Sequence, residues 1–201
     1  MRSTPQYFNQ NQKDAAIKLL LSCAKRSNFI FDLGANTGTI TRQLLECGVP
    51  VFAYEPDPLA FETLKNIRAD NLTVLQSAVW INDKKVTLFR HKDWANSHSH
   101  TSSSLISTKK NVDNRNSVEV SAIDITTQVL QLRGNGCMKM DVEGAEYKLL
   151  NYWSDNGLLK RFDSIFCEFH GRKIRWGRIQ HFLLFFKLLI RGENKIVKEW
   201  F

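Results

Sequence analysis

The sequence predicts an α/β fold with a mostly parallel central sheet and helices on both faces. Short, continuous apolar segments alternate with helical segments, as in parallel sheets that are buried on both sides. Several of these apolar segments end in a carboxylate, which is typical of the sheet edge where ligands bind. The chain has 201 residues, so we expect a single Rossmann-like domain over 1–201.

The predicted elements follow a regular order. A lead-in at 1–28 contains a helix at 10–26, whose apolar face is predicted to consist of Ala15, Ala16, Leu19, Leu20 and Cys23. Buried strands are predicted at 29–31, 51–54, 72–75, 137–140 and 164–167. Helices are predicted between them at 39–46, 58–68 and 145–153. Residues 85–90 and 117–122 alternate between apolar and polar side chains, which predicts two half-exposed strands. The basic C-terminal segment, 171–201, contains a predicted helix at 178–190 and a last strand at 196–201.

Four carboxylates follow predicted strands. Asp32, Glu55, Asp141 and Glu168 come directly after the apolar residues of four of these strands. The carboxyl ends of parallel strands meet at one edge of the sheet, so these side chains are expected to lie close together. Helix capping would explain one or two acids at such positions, but four are more than capping requires. This edge is therefore the predicted ligand site.

A glycine-containing turn follows the first predicted strand. Gly34 and Gly38 have GxxxG spacing, whereas turns that bind a pyrophosphate have GxGxxG spacing. Asp32 beside the turn would repel a pyrophosphate, but it suits the ammonium and sulfonium charges of S-adenosylmethionine. Glu55 lies 23 residues further on, where a carboxylate accepts both ribose hydroxyls. The pattern predicts a site for S-adenosylmethionine, with further candidate contacts from Asn36, Pro56, Ser77 and Asp141.

Three segments resemble the FkbM-type methyltransferases. They are DLGANTG at 32–38, YEPDP at 54–58 and KMDVEGAE at 139–146, and the third is the most specific. Weaker similarities at 103–105, 118–124 and 168–170 extend the resemblance from 29 to 170. It implies a class I methyltransferase fold and O-methylation of a hydroxyl on a sugar, a glycan or another small molecule. The opening helix and the segment after Gly171 lie outside it.

Two side chains are candidates for the base that receives the hydroxyl proton. Asp141 ends the strand whose tip faces the methyl donor in this fold, so it is expected to orient or deprotonate the acceptor. His170 has an unperturbed pKa near 6.5, which suits proton abstraction. With the neighbouring Glu168, these residues form the predicted catalytic set. Glu143 and Glu146 are equally explained by a helix's first turn, where acids favour the dipole.

The same three side chains have a second interpretation. Asp141, Glu168 and His170 are suitable ligands for a divalent cation such as Mg²⁺, which would lower the pKa of an acceptor hydroxyl. Nothing in their spacing requires a metal, so the cation stays an alternative and no metal ligands are assigned. The polar loop at 97–104 is a candidate cover for the substrate, and solvation explains it equally well.

Charge and cysteine content limit the partners and the compartment. Residues 171–201 carry eight Lys or Arg against two Glu, which is +6 of the chain's net +8. Such a segment suits an anionic glycan, a nucleic acid or a lipid surface, or is simply a solvated basic face. The four cysteines are scattered, the N-terminus lacks a secretory apolar stretch, and no apolar run reaches bilayer length. We therefore expect a cytoplasmic protein without a transmembrane segment.

Two other functions are compatible with this sequence. An RNA 2′-O-methyltransferase would use the basic segment for phosphate contacts. Such enzymes have a Lys-Asp-Lys-Glu tetrad, however, and no lysine pair is evident around Asp141. A non-catalytic, membrane-peripheral module would use the apolar run at 182–190, which basic residues flank. That run is apolar on nearly every side, which more often indicates a helix buried against the sheet.

Overall fold

The computed structural model describes residues 10–93, 103–194 and 196–200. The helices are α1 (Gln10–Ala24), α2 (Thr39–Leu45), α3 (Pro58–Leu64), α4 (Thr126–Gln131), α5 (Glu146–Asp155) and α6 (Gly177–Ile190), with a 3₁₀ turn at Leu158–Arg161. The strands are β1 (Phe29–Leu33), β2 (Val51–Tyr54), β3 (Leu72–Leu75), β4 (Ala78–Val79), β5 (Lys84–His91), β6 (Val112–Ile123), β7 (Gly136–Met140), β8 (Phe162–Cys167) and β9 (Val197–Glu199).

Six strands form the main sheet, in the order β3-β2-β1-β7-β8-β9. All neighbouring pairs run parallel, which confirms the predicted α/β fold. The chain moves outward from β1 to β3 and then returns to the other side of β1 with β7. This reversal is a topological switch point, where the loops at the carboxyl ends diverge and leave a crevice.

The two faces of the main sheet bury different side chains because successive strand residues point to opposite sides. On one face, Phe29 and Phe31 of β1 pack with α5 and α6. On the other face, Ile30 packs with Leu20 of α1 and Leu44 of α2. Both β1 and β7 are buried throughout, so their near-continuous apolar sequences are explained by helices on both sides.

The alternating segments form a separate three-stranded sheet, in the order β4-β6-β5. Strands β5 and β6 pair antiparallel, and their register shifts between Phe89 and Arg90. Phe89 also bridges to Ser104, which ties the end of the 97–104 loop to this sheet. Residues 97–102 of that loop lie outside the described residues. The predicted half-exposed strands are thus confirmed.

Three sequence-based expectations need correction. Strand β1 extends to Leu33, so Asp32 lies within the strand and not after it. Helix α1 buries Leu20 and Ala24, while Leu19, predicted on the buried face, is 49% exposed. Helix α6 buries only part of its apolar surface. Among the described helices, none is both long and apolar enough to cross a membrane.

Candidate active site

A cleft of about 680 Å³, partly open to solvent, lies at the carboxyl edge of the main sheet. Its walls come from the loops after β1, β2 and β7 on one side, and from β4, β5 and the segment at 103–105 on the other. The described lining residues include the acids Glu55, Asp141 and Glu143 and no Lys or Arg. The cleft therefore favours a ligand that carries positive charge.

The turn after β1 brings backbone to the cleft. Gly34 has φ +73°, and a Cβ atom there would lie 1.9 Å from the backbone oxygen of Asp141. Only glycine fits this position, because a side chain would push β1 and β7 apart. The N–H groups of Gly34 and Ala35 both donate to the Tyr54 carbonyl, 2.9 Å away, which fixes the turn against β2.

Glu55 is held by the backbone at the end of β2. The N–H of Asn36 donates to its Oε2 and the N–H of Asp57 donates to its Oε1, each at 2.8 Å. Burial raises the pKa of Glu55 to about 7, although these two hydrogen bonds act in the opposite direction. Each carboxylate oxygen has a further lone pair, so the group is oriented to accept two neighbouring hydroxyls from the cleft.

Asp32 is buried next to the cleft and is not among the described residues that line it. Its side chain is fully buried on the α2 side of β1, where it accepts a hydrogen bond from Thr41 Oγ1 at 2.6 Å. Its Oδ1 pairs with Lys139 Nζ at 3.3 Å. The expected contact of Asp32 with a ligand's cationic groups stays a prediction. Alternate residues of a strand point to opposite faces, so the Asp32 side chain lies on the same face of β1 as Ile30, toward α2.

Lys139 connects Asp32 to the glycine turn. Its Nζ donates to the Gly34 carbonyl at 2.7 Å, and its side chain is 6% exposed. Burial lowers the pKa of Lys139, but the carboxylates of Asp32 and Asp141 outweigh burial and the net shift is upward. Lys139 is thus a lysine that lies within electrostatic reach of Asp141. This lysine is nevertheless committed to internal partners and is not among the residues that line the cleft.

Gly38 has a packing role. It caps α2 with φ +86°, and a Cβ atom there would lie 2.4 Å from Ile67 Cδ1. It is not among the described residues that line the cleft, and its contact with a cofactor stays a prediction. Asn36, Pro56 and Ser77, the other predicted contacts, all line it.

Asp141 follows β7 directly and lines the cleft, as predicted. Its side chain is 29% exposed, and its Oδ1 makes no hydrogen bond. Burial raises the pKa of Asp141 to about 7, with Glu168 and Glu143 adding to the rise and Lys139 opposing it. This carboxyl thus combines access to the cleft with the basicity that suits a proton acceptor near neutral pH.

His170 lies behind Asp141, surrounded by carboxylates. Its Nδ1 is 2.8 Å from Glu146 Oε1, and its Nε2 is 3.0 Å from Glu143 Oε2. Nε2 also lies 3.4 Å from Glu168 Oε1 and 3.9 Å from Asp141 Oδ1. We call these five residues the His170 cluster. Lys109 adds a second cation through its ion pair with Glu143.

The His170 cluster favours a doubly protonated imidazole. Burial would lower the pKa of His170, but the surrounding carboxylates of Glu143, Glu146 and Glu168 raise it to about 12. The pKa of Glu143 is lowered, because His170 and Lys109 outweigh the effect of burial. His170 is 3% exposed and does not line the cleft. The geometry therefore argues against the predicted role of His170 as a general base.

The metal interpretation meets the same constraint. One ligand atom each from Asp141, Glu168 and His170 lies within 4.8 Å of the others. A metal ligand must offer a ring nitrogen without its proton. Both nitrogens of His170 instead face carboxylates at 3.0 Å or less. The described geometry thus fits a cationic histidine better than a metal ligand.

Several residues of the site have no individual signal in the sequence. Glu143 has φ +53° and is followed by Gly144 at φ +119°, a sharp bend that turns the Glu143 side chain toward His170. Ser104 stabilises the bend by donating to the Glu143 carbonyl at 2.6 Å. The Asp-Val-Glu-Gly-Ala-Glu motif marks this bend, but its partners lie far away in the chain and become adjacent only through folding.

Comparison with known proteins identifies one family that matches most of the chain. The sequence profile of a family described as "Methyltransferase FkbM domain" matches residues 32–191. Among solved structures, the chain is similar to a Listeria monocytogenes protein proposed to be an S-adenosylmethionine-dependent methyltransferase, with 18% identity and a TM-score of 0.28. That alignment covers 33% of each chain, so our chain matches a third of that protein's length. A comparison with curated proteins gave no match.

Proposed function

Because the chain belongs to the FkbM methyltransferase family, we propose that it transfers a methyl group from S-adenosylmethionine to a hydroxyl of a small molecule or glycan. The observation that carries this proposal is the pair of carboxylates in one cleft. Glu55 is fixed by two backbone donors, while the Asp141 side chain lines the same cleft and is 29% exposed. The first suits a sugar diol and the second suits an exchangeable hydroxyl proton.

The residues of the cleft fit S-adenosylmethionine. Gly34 allows close approach of the ligand to the backbone, and Glu55 is placed to accept the ribose hydroxyls. The acidic lining suits a ligand with sulfonium and ammonium groups and disfavours a pyrophosphate. Asn36, Pro56 and Ser77 complete the surface that would hold the cofactor. When bound, S-adenosylmethionine supplies an electrophilic methyl group.

Asp141 is the proposed base. Methyl transfer to oxygen requires an aligned hydroxyl and a group that receives its proton. The carboxyl of Asp141 lines the cleft, and its pKa of about 7 lets it accept a proton as the hydroxyl loses it. A group positioned in this way contributes roughly 10²–10⁴-fold to the rate.

His170 and Glu168 are proposed as positioning residues. The imidazole bonds Glu146 through Nδ1 and faces three other carboxylates through Nε2. It thereby offsets the repulsion between acids that would otherwise be forced together in a partly buried site. The Asp141 carboxyl can thereby lie at the cleft beside the other acids of the His170 cluster.

The proposal is tested by following a radiolabelled methyl group. The protein is incubated with labelled S-adenosylmethionine and cell extract, which is then separated into small molecules, glycans, RNA and lipids. We expect the label in small molecules or glycans, in a form that resists mild alkali, as a methyl ether does. Label that ribonuclease releases from RNA, or that mild alkali removes as an ester would, would contradict the proposed acceptor class.

A further inference from the structure

Helix α6 has two apolar faces, and the main sheet covers only one of them. Leu184 and Leu188 are fully buried in the core shared with α5. Six other large apolar side chains of the helix are 51 to 70% exposed. They are Ile179, Phe182, Leu183, Phe186, Leu189 and Ile190.

The exposed side chains form one continuous surface. At about 100° per residue, they cover an arc of roughly 120° opposite Leu184 and Leu188. No polar residue of α6 falls within this arc. Arg178 borders it on one side and Lys187 on the other. We call this surface the α6 apolar face.

Basic and aromatic side chains extend the α6 apolar face at its start. A second hollow of about 690 Å³, largely open, is lined by Lys110, Arg172, Arg178 and Trp176. No acid is among its described lining residues. Trp176 is 64% exposed and lies under the guanidinium of Arg175, 5.8 Å from the ring centre.

The backbone fixes this arrangement. Trp176 has φ +61°, an uncommon conformation for a large side chain. It is held by the close approach of Gly171 and Gly177, where a Cβ on Gly177 would lie 2.2 Å from the Gly171 oxygen. The bend directs the chain into α6 and places the tryptophan beside the basic hollow.

The acids near the α6 apolar face are already engaged. Asp155 pairs with Lys187 at 2.9 Å and with Arg191 at 3.0 Å, at the far end of the helix. Glu193 is buried and accepts a hydrogen bond from Ser154 at 2.6 Å. The field at the start of the face is therefore positive and suits an anionic surface.

We propose that the α6 apolar face docks the protein on an anionic lipid bilayer. An interfacial helix combines an apolar face, basic residues at its borders and an aromatic anchor. Helix α6 has the first two, and Trp176 directly before it supplies the third. Its 14 residues extend about 21 Å, so the helix would lie in the plane of the interface. Lys110, Arg172 and Arg178 would contact lipid phosphates. This proposal does not depend on the identity of the methyl acceptor.

The test is co-sedimentation of the full chain with lipid vesicles. We expect binding to phosphatidylcholine vesicles that contain roughly one-third phosphatidylserine, and at least tenfold weaker binding to phosphatidylcholine alone. Phe182→Ser with Phe186→Ser should lower binding to the anionic vesicles about tenfold or more, because both side chains are exposed and apolar. Arg172→Gln with Arg178→Gln should lower it roughly tenfold and weaken its dependence on salt.

Matched variants control for general effects. Leu183→Ser on α6 is compared with Leu19→Ser on α1, since these leucines have similar exposure and lie on opposite faces of the sheet. Lys13→Gln with Lys18→Gln removes the same charge as the arginine pair. Leu19→Ser and the lysine pair are the controls and should leave vesicle binding unchanged. Circular dichroism should give the wild-type melting curve for every exposed substitution.

Two results would overturn the proposal. One is a failure of the expected binding: the wild-type protein stays in the supernatant with anionic vesicles, or the phenylalanine pair and the arginine pair of substitutions both leave its binding unchanged. The other is a dimer in light scattering that Phe182→Ser with Phe186→Ser converts to a monomer. That result would assign the α6 apolar face to contact between two copies of the chain.

Discussion

Glu55 and Asp141 face the same cleft but are held in different ways. Two backbone N–H groups fix Glu55, whereas Asp141 keeps an oxygen without a hydrogen bond beside a cationic histidine. The first arrangement suits a permanent acceptor of hydroxyl groups. The second suits a group that gains and loses a proton. Three substitutions separate these roles.

Glu55→Ala tests the ribose contact. We expect binding of S-adenosylhomocysteine to weaken by about 2–4 kcal/mol, because charged hydrogen bonds in a desolvated site are lost. Equilibrium dialysis measures the change. Glu62→Ala, on the exposed side of α3, is the control and should leave the affinity unchanged. An unaltered affinity in Glu55→Ala would remove this residue from the cofactor site.

Asp141→Asn tests the base. The amide keeps the size of the carboxyl but cannot receive the hydroxyl proton, so turnover should fall by about 10²–10⁴-fold. Binding of S-adenosylhomocysteine should stay close to wild type. The control is Asp155→Asn at the other end of α5, which should leave turnover unchanged. Full activity of Asp141→Asn on the true acceptor would refute the assignment.

His170→Gln tests the charge state of the histidine. The pKa of His170 is raised from 6.5 to about 12 in the folded protein. Its stabilising contribution is therefore complete below pH 6.5 and declines as the pH rises toward 12. We expect the melting temperature of the wild type to fall more steeply between about pH 7 and pH 10 than that of His170→Gln. Parallel melting curves over this range would show that the histidine is neutral when folded.

At the scale of elements, the junction between β1 and α2 determines whether the cleft forms. Gly34 brings the backbone of this junction against the backbone of Asp141 after β7. Lys139 donates to the Gly34 carbonyl and also pairs with Asp32. The two strand ends are thus joined by a close backbone contact and by a buried ion pair. A side chain at position 34 would affect both.

Gly34→Ala tests this contact. We expect a loss of more than about 3 kcal/mol in the free energy of unfolding, since the new Cβ would lie 1.9 Å from the Asp141 oxygen. Gly48→Ala is the matched control, because Gly48 has φ +75° and no atom within 4 Å of the added Cβ. It should cost only about 1 kcal/mol, the strain of the left-handed backbone. Urea unfolding measures both, and equal losses would contradict the close contact.

The sequence predicted most strands but not all side-chain directions. The apolar runs identified β2, β7 and β8, which are largely buried, and also β3, whose side chains are half-buried or exposed. Asp32 shows the limit of this reasoning. Its side chain lies on the same face of β1 as Ile30, toward α2, because alternate residues of a strand point to opposite faces. The acid then serves the interior instead of the cleft.

The sequence alone did not predict the carboxylates that surround His170, because most of them are distant from it along the chain. Glu146 and Glu143 lie 24 and 27 residues away along the chain, and only the packing of β8 against β7 brings them together. A histidine that follows a strand resembles a general base until its neighbours are known. In the described structure those neighbours are four carboxylates, and they make it a cation.

At the scale of the whole molecule, the two sheets form opposite walls of the cleft. The six-stranded sheet supplies the fixed carboxyl edge, and the three-stranded sheet provides the opposite wall through Ala78, Val79 and Leu88. Helix α6 was expected to be buried, because its sequence is apolar on nearly every side. The structure instead buries one face and exposes the other, and a sequence cannot show which faces a fold will cover.

The central claim is that the acidic cleft binds an adenosyl ligand without phosphates. Isothermal calorimetry of the full chain with S-adenosylhomocysteine tests it most directly, followed by the same titration in the presence of excess NAD. We predict one binding event per chain, with an affinity that NAD does not change, because Glu55, Asp141 and Glu143 would repel a pyrophosphate. Binding of NAD that excludes S-adenosylhomocysteine, or no binding of the latter, would contradict the account.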